Sequence, residues 1–108
     1  MDVTPERVAQ LQREGSIQLV DIREPYEWEA GRIPGARFLT MGELTAQVET
    51  IHRETPVVFY CRVGARSAMA ADAFRRGGYD AYSLAGGLEA WAGEGRELDP
   101  EDGSVAAH

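Results

Sequence analysis

Short apolar runs alternate with amphipathic stretches along the whole chain. Short runs of apolar and aromatic residues predict strands over residues 17–22, 36–39, 57–60 and 80–84, and the run 57–60 also has two β-branched residues. Helix-type spacing, capping residues and glycine stops predict helices between them, which begin at Thr4, Glu24, Thr40, Ser67 and Leu88. Strands that alternate with helices predict an α/β fold, with a small, mainly parallel sheet covered by helices on both faces.

The central strand leads directly into the only cysteine of the chain. Cys61 follows the apolar run 57–60, and a short loop with Gly64 at its middle leads to a helix predicted over residues 67–76. At about 100° per residue, one face of that helix carries four apolar side chains: Met69, Ala70, Ala73 and Phe74. Cys61 therefore stands where a strand ends and a helix begins.

This position favours an ionised thiol. The first N–H groups of a helix lack partners within it, and a turning loop directs further N–H groups into the same concavity. Arg62 and Arg66 add two permanent positive charges, and Gly64 lets the backbone approach a bound atom. Burial opposes ionisation, but we expect the loop not to be dry. We predict a reactive Cys61 whose pKa lies below that of a free thiol; the alternative is a small buried core residue.

Three stretches leave predicted strands at the carboxyl edge of the sheet, where ligands bind in parallel α/β folds. They are residues 21–23, the loop after Cys61, and residues 85–87. We expect them to converge on one site. The glycines at positions 86 and 87 leave room for substrate in one interpretation and are plain turn residues in the other.

The chain length fits one domain. It has 108 residues, of which 44% are apolar, which is enough for a buried core. We predict a domain over residues 1–98 and an acidic, flexible tail over residues 99–108, with Leu98 as the last anchored side chain.

Charge and cysteine content exclude several classes of function. The formal net charge of -7 argues against nucleic acid and anionic membrane surfaces as partners. No apolar run approaches the roughly 18 residues of a membrane span, and the first residues do not resemble a signal peptide. A single cysteine excludes an internal disulfide and a CxxC pair. We therefore expect a cytoplasmic protein that acts as a monomer.

Three motifs stand in order along the chain: LVDIRE with Glu27 and Glu29 and then GRIPGA, next VVFYCRVGARS, and finally LAGGLEAW. Together they resemble the amino-terminal signature, the active-site loop and the carboxy-terminal signature of the rhodanese family of sulfurtransferases, in its single-domain form. The resemblance covers about residues 3–95 and implies a rhodanese-like α/β fold.

The resemblance also implies a sulfur transfer of the thiosulfate:cyanide type through a persulfide. Cys61 would take the outer sulfur of a donor such as thiosulfate and pass it to a thiophilic acceptor such as cyanide or a thiol. The loop would bind the substrate through six residues: Arg62, Val63, Gly64, Ala65, Arg66 and Ser67. No cofactor or metal is implied. The expected partners are small molecules, with a protein sulfur acceptor as a further option.

Other conspicuous residues have structural interpretations. Arg32 stands where the family often has histidine, but the position is typical of a turn, so we expect little consequence. Asp21 and Arg23 are expected to pair or to cap loops rather than to contact substrate. We expect Trp28 and Trp91 to be packing residues. We expect no catalytic role for His52 and His108.

Two alternatives stay open. Cysteine phosphatases and arsenate reductases also place a cysteine ahead of a helix, but their signature has one residue more before the arginine than the four between Cys61 and Arg66. The tighter loop suits one sulfur atom better than a tetrahedral oxyanion. A non-catalytic binding or regulatory module of the same fold would be expected to lack the cysteine or the arginines, which this chain keeps. A redox sensor would need a resolving cysteine.

Overall fold

Five parallel strands form one sheet in the computed structural model, which describes residues 1–107. The strands are β1 (Asp2–Val3), β2 (Gln18–Asp21), β3 (Arg37–Phe38), β4 (Val57–Tyr60) and β5 (Ala81–Leu84). Their order across the sheet is β1-β5-β4-β2-β3, and every neighbouring pair is parallel. The strand that precedes Cys61 therefore lies at the centre of the sheet.

Within residues 1–107, four α-helices connect the strands, and a fifth follows β5. They are α1 (Pro5–Arg13), α2 (Pro25–Ala30), α3 (Met41–Ala46), α4 (Ala65–Arg76) and α5 (Gly87–Gly93). The predicted caps at Thr4 and Thr40 are confirmed, since each hydroxyl accepts a hydrogen bond from an N–H of the first helical turn. The third helix is shorter than the helical spacing of Leu44, Val48 and Ile51 in the sequence predicts. It ends at Ala46, and a 3₁₀ turn (Val48–Thr50) carries the chain on to a buried Ile51.

Side chains of the central strand alternate between the two faces of the sheet. Val57, Phe59 and Cys61 face the layer that contains α3 and α4, whereas Val58 and Tyr60 face the layer that contains α1 and α5. The predicted α/β class, with helices on both faces, is confirmed. The alternation places the Cys61 side chain beneath α4.

The buried face of α4 differs from the prediction. The helix begins at Ala65, two residues earlier than predicted, and buries side chains at i, i+3, i+4 and i+7: Ser67, Ala70, Ala71 and Phe74. Met69, which the apolar pattern predicts to be buried, is 67% exposed, and Ala73 is also exposed. The prediction was wrong because alanines occupy several faces of this helix and give its apolar pattern no clear phase.

Contacts continue beyond the predicted domain limit at residue 98. The main chains of Arg32 and Asp99 exchange two hydrogen bonds, of 3.1 and 2.8 Å. The Ser104 N–H donates to the carbonyl of Ala30 at 2.8 Å, and Val105 packs against the core. Because Val105 packs against the core, Leu98 is not the last anchored side chain. The composition of residues 99–108 does not reveal the main-chain hydrogen bonds that hold this segment. The division at residue 98 stays a prediction, and His108 lies outside the described residues.

The pairing of β4 with β5 brings the N-terminus of α5 against the Cys61 loop. The N–H of Leu88 donates to the Cys61 carbonyl at 2.9 Å, and the N–H of Glu89 donates to the Arg62 carbonyl at 3.0 Å. Gly87 has a φ of +62°, and a Cβ added there would stand 2.5 Å from the Arg62 carbonyl oxygen. The glycine thus permits a close backbone approach, and loop backbone fills the space that one interpretation reserved for substrate.

Among residues 1–107, none of the helices combines the length and the apolar character needed to cross a membrane.

Gly87→Ala is expected to destabilise the protein by about 2–4 kcal/mol, because a left-handed non-glycine residue is strained and its methyl group meets backbone that cannot rotate away. The matched control is Gly93→Ala at the other end of α5, where an added Cβ meets nothing within 4 Å. That variant should stay within about 1 kcal/mol of wild type. Urea unfolding measures both, and equal stabilities of the two variants would contradict the account.

Candidate active site

The Cys61 sulfur is held at the carboxyl end of β4 by short polar contacts. Cys61 is only 1% exposed. The Gly64 N–H donates to Cys61 Sγ at 3.1 Å, and Ser67 Oγ lies 3.5 Å from the same sulfur. The loop therefore surrounds the sulfur with hydrogen-bond donors, an arrangement that in proteins binds anions.

Gly64 makes this geometry accessible. It is the N-cap of α4, with φ 116° and ψ -14°, a left-handed conformation that other residues disfavour. A Cβ at this position would find no neighbour closer than 3.9 Å, so the backbone conformation, rather than lack of space, requires glycine. The predicted turning role of Gly64 is confirmed.

The pKa of the Cys61 thiol is lowered. Burial, the largest influence, raises it by disfavouring the thiolate. Hydrogen bonds from the Ser67 hydroxyl and from the backbone N–H groups of Ser67, Gly64 and Arg66 outweigh burial and lower the pKa. The direction agrees with the prediction. The loop is partly exposed, as expected, but the sulfur itself is buried, so short-range donors rather than solvent stabilise its charge.

Arg66 is directed at a carboxylate on another helix. Its Nη1 and Nη2 lie 3.1 and 3.2 Å from the two oxygens of Glu27, which is fully buried on α2. Burial raises the pKa of Glu27, but hydrogen bonds from Arg66 and the Glu24 N–H, with the charges of Arg66 and Arg23, lower it overall. The pKa of Arg66 is raised by Glu27 against burial, and the Cys61 charge contributes in the same direction.

Arg62 is paired as well. Its Nη2 lies 3.2 Å from Glu89 Oε2 on α5, and its buried Nε has no hydrogen-bond partner among the described residues. Each loop arginine therefore carries its own counter-charge. The two positive charges predicted beside the sulfur are present, but both guanidinium groups are held by carboxylates rather than by the sulfur.

The rest of the predicted loop divides into exposed and buried positions. Val63 and Ala65 are exposed, whereas Ser67 is fully buried and its Oγ lies 2.7 Å from Ser83 Oγ on β5. Glu27 and Ser83 are site residues that sequence reasoning missed. In the sequence, Glu27 appears only as part of the first motif, with no role assigned to it, and Ser83 stands out only as a polar position in an apolar strand.

Asp21 and Arg23 form a buried pair beside the site, as expected. Arg23 Nη2 lies 2.6 Å from Asp21 Oδ2 and also donates to the Gly31 carbonyl at 2.8 Å, and neither side chain is exposed. The Ile22 N–H donates to the carbonyl of Tyr60 at 3.1 Å. The three stretches that leave the strands therefore meet around Cys61, and the first of them contributes structure rather than a free side chain.

The other conspicuous residues have packing contacts. Arg32 lies over the Trp28 ring at 4.8 Å and 3.7 Å from Asp99 Oδ2, which fits its interpretation as a turn residue. Trp91 is buried in the core, and His52 is exposed. Among residues 1–107, no group of three or more histidine, cysteine or acidic side chains is arranged to hold a metal ion.

Comparisons with known proteins agree on one family. The family model of the rhodanese-like domain matches residues 4–94. Thiosulfate sulfurtransferase GlpE of Pseudomonas aeruginosa is 37% identical over 103 residues, which cover 94% of this chain and 89% of that protein. The uncharacterized protein YqhL of Bacillus subtilis is 40% identical over 78 residues, which cover 71% of this chain but only 62% of YqhL. A rhodanese-related protein of Thermoplasma volcanium has the same fold, with a TM-score of 0.83 at 23% identity over 90% of this chain and 95% of its own.

Arg66→Met is expected to destabilise the protein by about 2–4 kcal/mol at neutral pH, because it leaves the buried Glu27 carboxylate without its guanidinium partner. The matched control is Arg76→Met on the same helix, since Arg76 and Asp72 form an exposed pair. That variant should change the stability by no more than about 1 kcal/mol. Urea unfolding at constant salt measures both.

The pH dependence of this loss has a defined sign. The folded-state pKa of Glu27 is lowered, so the stability from the pair is complete above the ordinary glutamate pKa of about 4.3 and is lost as the pH falls through the lower folded value. In Arg66→Met, burial raises that pKa, and protonation relieves the buried charge. The stability difference from wild type should shrink from neutral pH toward about pH 4; a difference that does not change with pH would refute this assignment.

Proposed function

The chain belongs to the rhodanese-like domain family, and on that basis we propose that it transfers sulfane sulfur through a persulfide on Cys61. The observation that carries the proposal is the Cys61 sulfur at the end of β4, which accepts the Gly64 N–H at 3.1 Å and has a lowered pKa despite burial. A thiolate is the form that attacks sulfur.

In the first half-reaction the Cys61 thiolate attacks the outer sulfur of a donor such as thiosulfate. A bond forms between the two sulfur atoms, the S–S bond of the donor breaks, and sulfite leaves with the electron pair. The products are Cys61–S–S⁻ and sulfite, so charge and atoms balance without an added oxidant. The thiol proton leaves to solvent before the attack.

In the second half-reaction a thiophilic acceptor attacks the terminal sulfur of the persulfide. With cyanide, a carbon–sulfur bond forms, the S–S bond breaks toward Cys61, and thiocyanate leaves. Cys61 returns as a thiolate, and the donors around Sγ stabilise it as the leaving group. A thiol acceptor, small or on a protein, would react at the same sulfur.

We assign substrate binding to the loop residues Arg62, Val63, Gly64, Ala65, Arg66 and Ser67. Their backbone N–H groups suit the charge on sulfur, and the partly exposed guanidinium groups of Arg62 and Arg66, each 29% exposed, suit the oxygens of an anionic donor outside the loop. The proposal keeps a monomer in the cytoplasm as the working form.

The two alternatives predict different chemistry at Cys61. A phosphatase needs room for a tetrahedral oxyanion between the loop amides, whereas here the Gly64 N–H already reaches the sulfur itself. A binding module needs no ionised thiol, yet four hydrogen-bond donors lower the pKa of this one. Sulfur transfer is the function that uses both features.

We expect the protein to gain the mass of one sulfur atom when it is incubated with thiosulfate and freed of excess reagent. Cyanide should remove that sulfur and release thiocyanate in equal amount. Cys61→Ser should gain nothing, because it removes the only thiol of the chain. Mass spectrometry of the intact protein measures the gain, and His52→Ala, at an exposed position, is the control that should load as wild type does.

Each other result points to one alternative. A wild-type protein that loads no sulfur from thiosulfate or from other sulfane donors would favour the binding module. Hydrolysis of aryl phosphates that disappears in Cys61→Ser would favour the phosphatase. Equal sulfur loading of wild type and Cys61→Ser would remove Cys61 from the mechanism.

A further inference from the structure

Ser83 touches the site from the neighbouring strand, and the sulfur-transfer steps assign it no role. It lies on β5 in register with Phe59 of β4, so its side chain is on the face that carries Phe59 and Cys61. Ser83 is buried, and its Oγ lies 2.7 Å from Ser67 Oγ. A buried hydroxyl reduces the stability of the fold unless it makes hydrogen bonds.

Ser67 connects Ser83 to the sulfur. Its Oγ lies 3.5 Å from Cys61 Sγ, 3.2 Å from the Gly64 carbonyl oxygen and 2.7 Å from Ser83 Oγ. A hydroxyl has one proton to donate and two lone pairs that accept. Ser67 can donate to only one of its three neighbours, so the other two must donate to Ser67 if all three contacts are hydrogen bonds at once.

The hydrogen-bond inventory gives the direction of the contact between the two hydroxyls. The Gly64 carbonyl only accepts. Among residues 1–107, Ser67 Oγ is the one hydrogen-bond partner of the Ser83 side chain. If Ser67 donated to Ser83, the buried Ser83 proton would lose that acceptor, which is unfavourable. Both hydroxyls are satisfied when Ser83 donates to Ser67 and the Ser67 proton goes to the Gly64 carbonyl or to the sulfur.

We propose that Ser83 is a positioning residue for the Cys61 sulfur: its hydroxyl donates to Ser67 Oγ and leaves the Ser67 proton free to turn toward Sγ. In the thiol form, Cys61 donates to Ser67 Oγ, and Ser67 donates to the Gly64 carbonyl. In the thiolate form, Ser67 donates to Sγ while Ser83 still donates to Ser67. Only hydrogen bonds change, and the thiol proton leaves to solvent.

The consequence for catalysis rests on the proposed function, because the same hydroxyl pair would stabilise Cys61 as the leaving group of the persulfide. The consequence for the thiolate does not depend on it. The charged groups around the sulfur belong to the loop, α2, α5 and the end of β2: Arg62, Arg66, Glu27, Glu89, Asp21 and Arg23. None of them changes in the variants below, so a difference in titration reports the hydroxyl groups.

The test follows the rate of alkylation of Cys61 by iodoacetamide as a function of pH, with no sulfur donor present. Ser83→Ala should move the titration midpoint to higher pH and slow alkylation about two- to tenfold below the midpoint, as expected for one weakened hydrogen bond. Ser67→Ala should move it in the same direction. In the Ser67→Ala background, Ser83→Ala should add no further shift, because the proposed effect passes through Ser67.

A second pair of variants holds the side-chain volume constant. Ser83→Thr keeps the hydroxyl and should keep the wild-type midpoint, whereas Ser83→Val, of nearly the same shape, should raise it. Circular dichroism and melting curves establish that each variant is folded. Equal titration midpoints for Ser83→Thr and Ser83→Val would overturn the proposal. So would a shift from Ser83→Ala that is the same in the wild-type and Ser67→Ala backgrounds. This measurement does not use sulfur loading. The role of Ser83 can therefore be tested even if the protein does not take up sulfur from thiosulfate.

Discussion

The hydrogen bond from the Gly64 N–H to the Cys61 sulfur, 3.1 Å long at an almost fully buried position, is the contact on which the site depends. A buried thiolate without partners would be expensive, and the thiol would simply keep its proton. The loop prevents this by ending in a left-handed glycine that starts α4 directly over the sulfur. On the other side, the first N–H groups of α5 hold the carbonyls of Cys61 and Arg62. The two helix N-termini thus fix the loop from both ends.

Ion pairs give this edge of the sheet its rigidity. Asp21 pairs with Arg23, and Glu27 pairs with Arg66 across 39 positions of sequence. Removing one partner of such a pair leaves a buried charge, so each pair ties its loop to the fold more firmly than an exposed pair would. Arg66 therefore has two roles. Its backbone N–H lowers the pKa of Cys61, and its side chain holds α2 against the loop.

Much of the fold could be predicted from local patterns. The short apolar and aromatic runs that gave β2, β4 and β5, and the threonine caps of α1 and α3, act over a few residues and leave a clear signal. The position of Cys61 at the carboxyl edge followed from the alternation of strands and helices. Strand β1, with two residues, is too short for any periodicity, and the anchoring of Ser104 depends on main-chain hydrogen bonds that composition does not reveal.

The partners of the site residues could not be predicted. A sequence shows that Arg62 and Arg66 are positive, but not that Glu89 and Glu27 neutralise them, because those contacts depend on how α5 and α2 approach the loop. Met69 illustrates the same limit: it is apolar, yet an alanine-rich helix left its orientation to tertiary packing.

The central claim is that short hydrogen bonds stabilise the Cys61 thiolate more than the arginine charges do. The most direct measurement is the ultraviolet absorbance of the thiolate as a function of pH, with Cys61→Ser as the blank, at about 0.01 M and about 1 M salt. Screening weakens the field of partly exposed guanidinium groups but not buried hydrogen bonds. The account predicts a midpoint below that of a free thiol at both salt concentrations, with little difference between them. A midpoint that rises to the free-thiol value at high salt would contradict it.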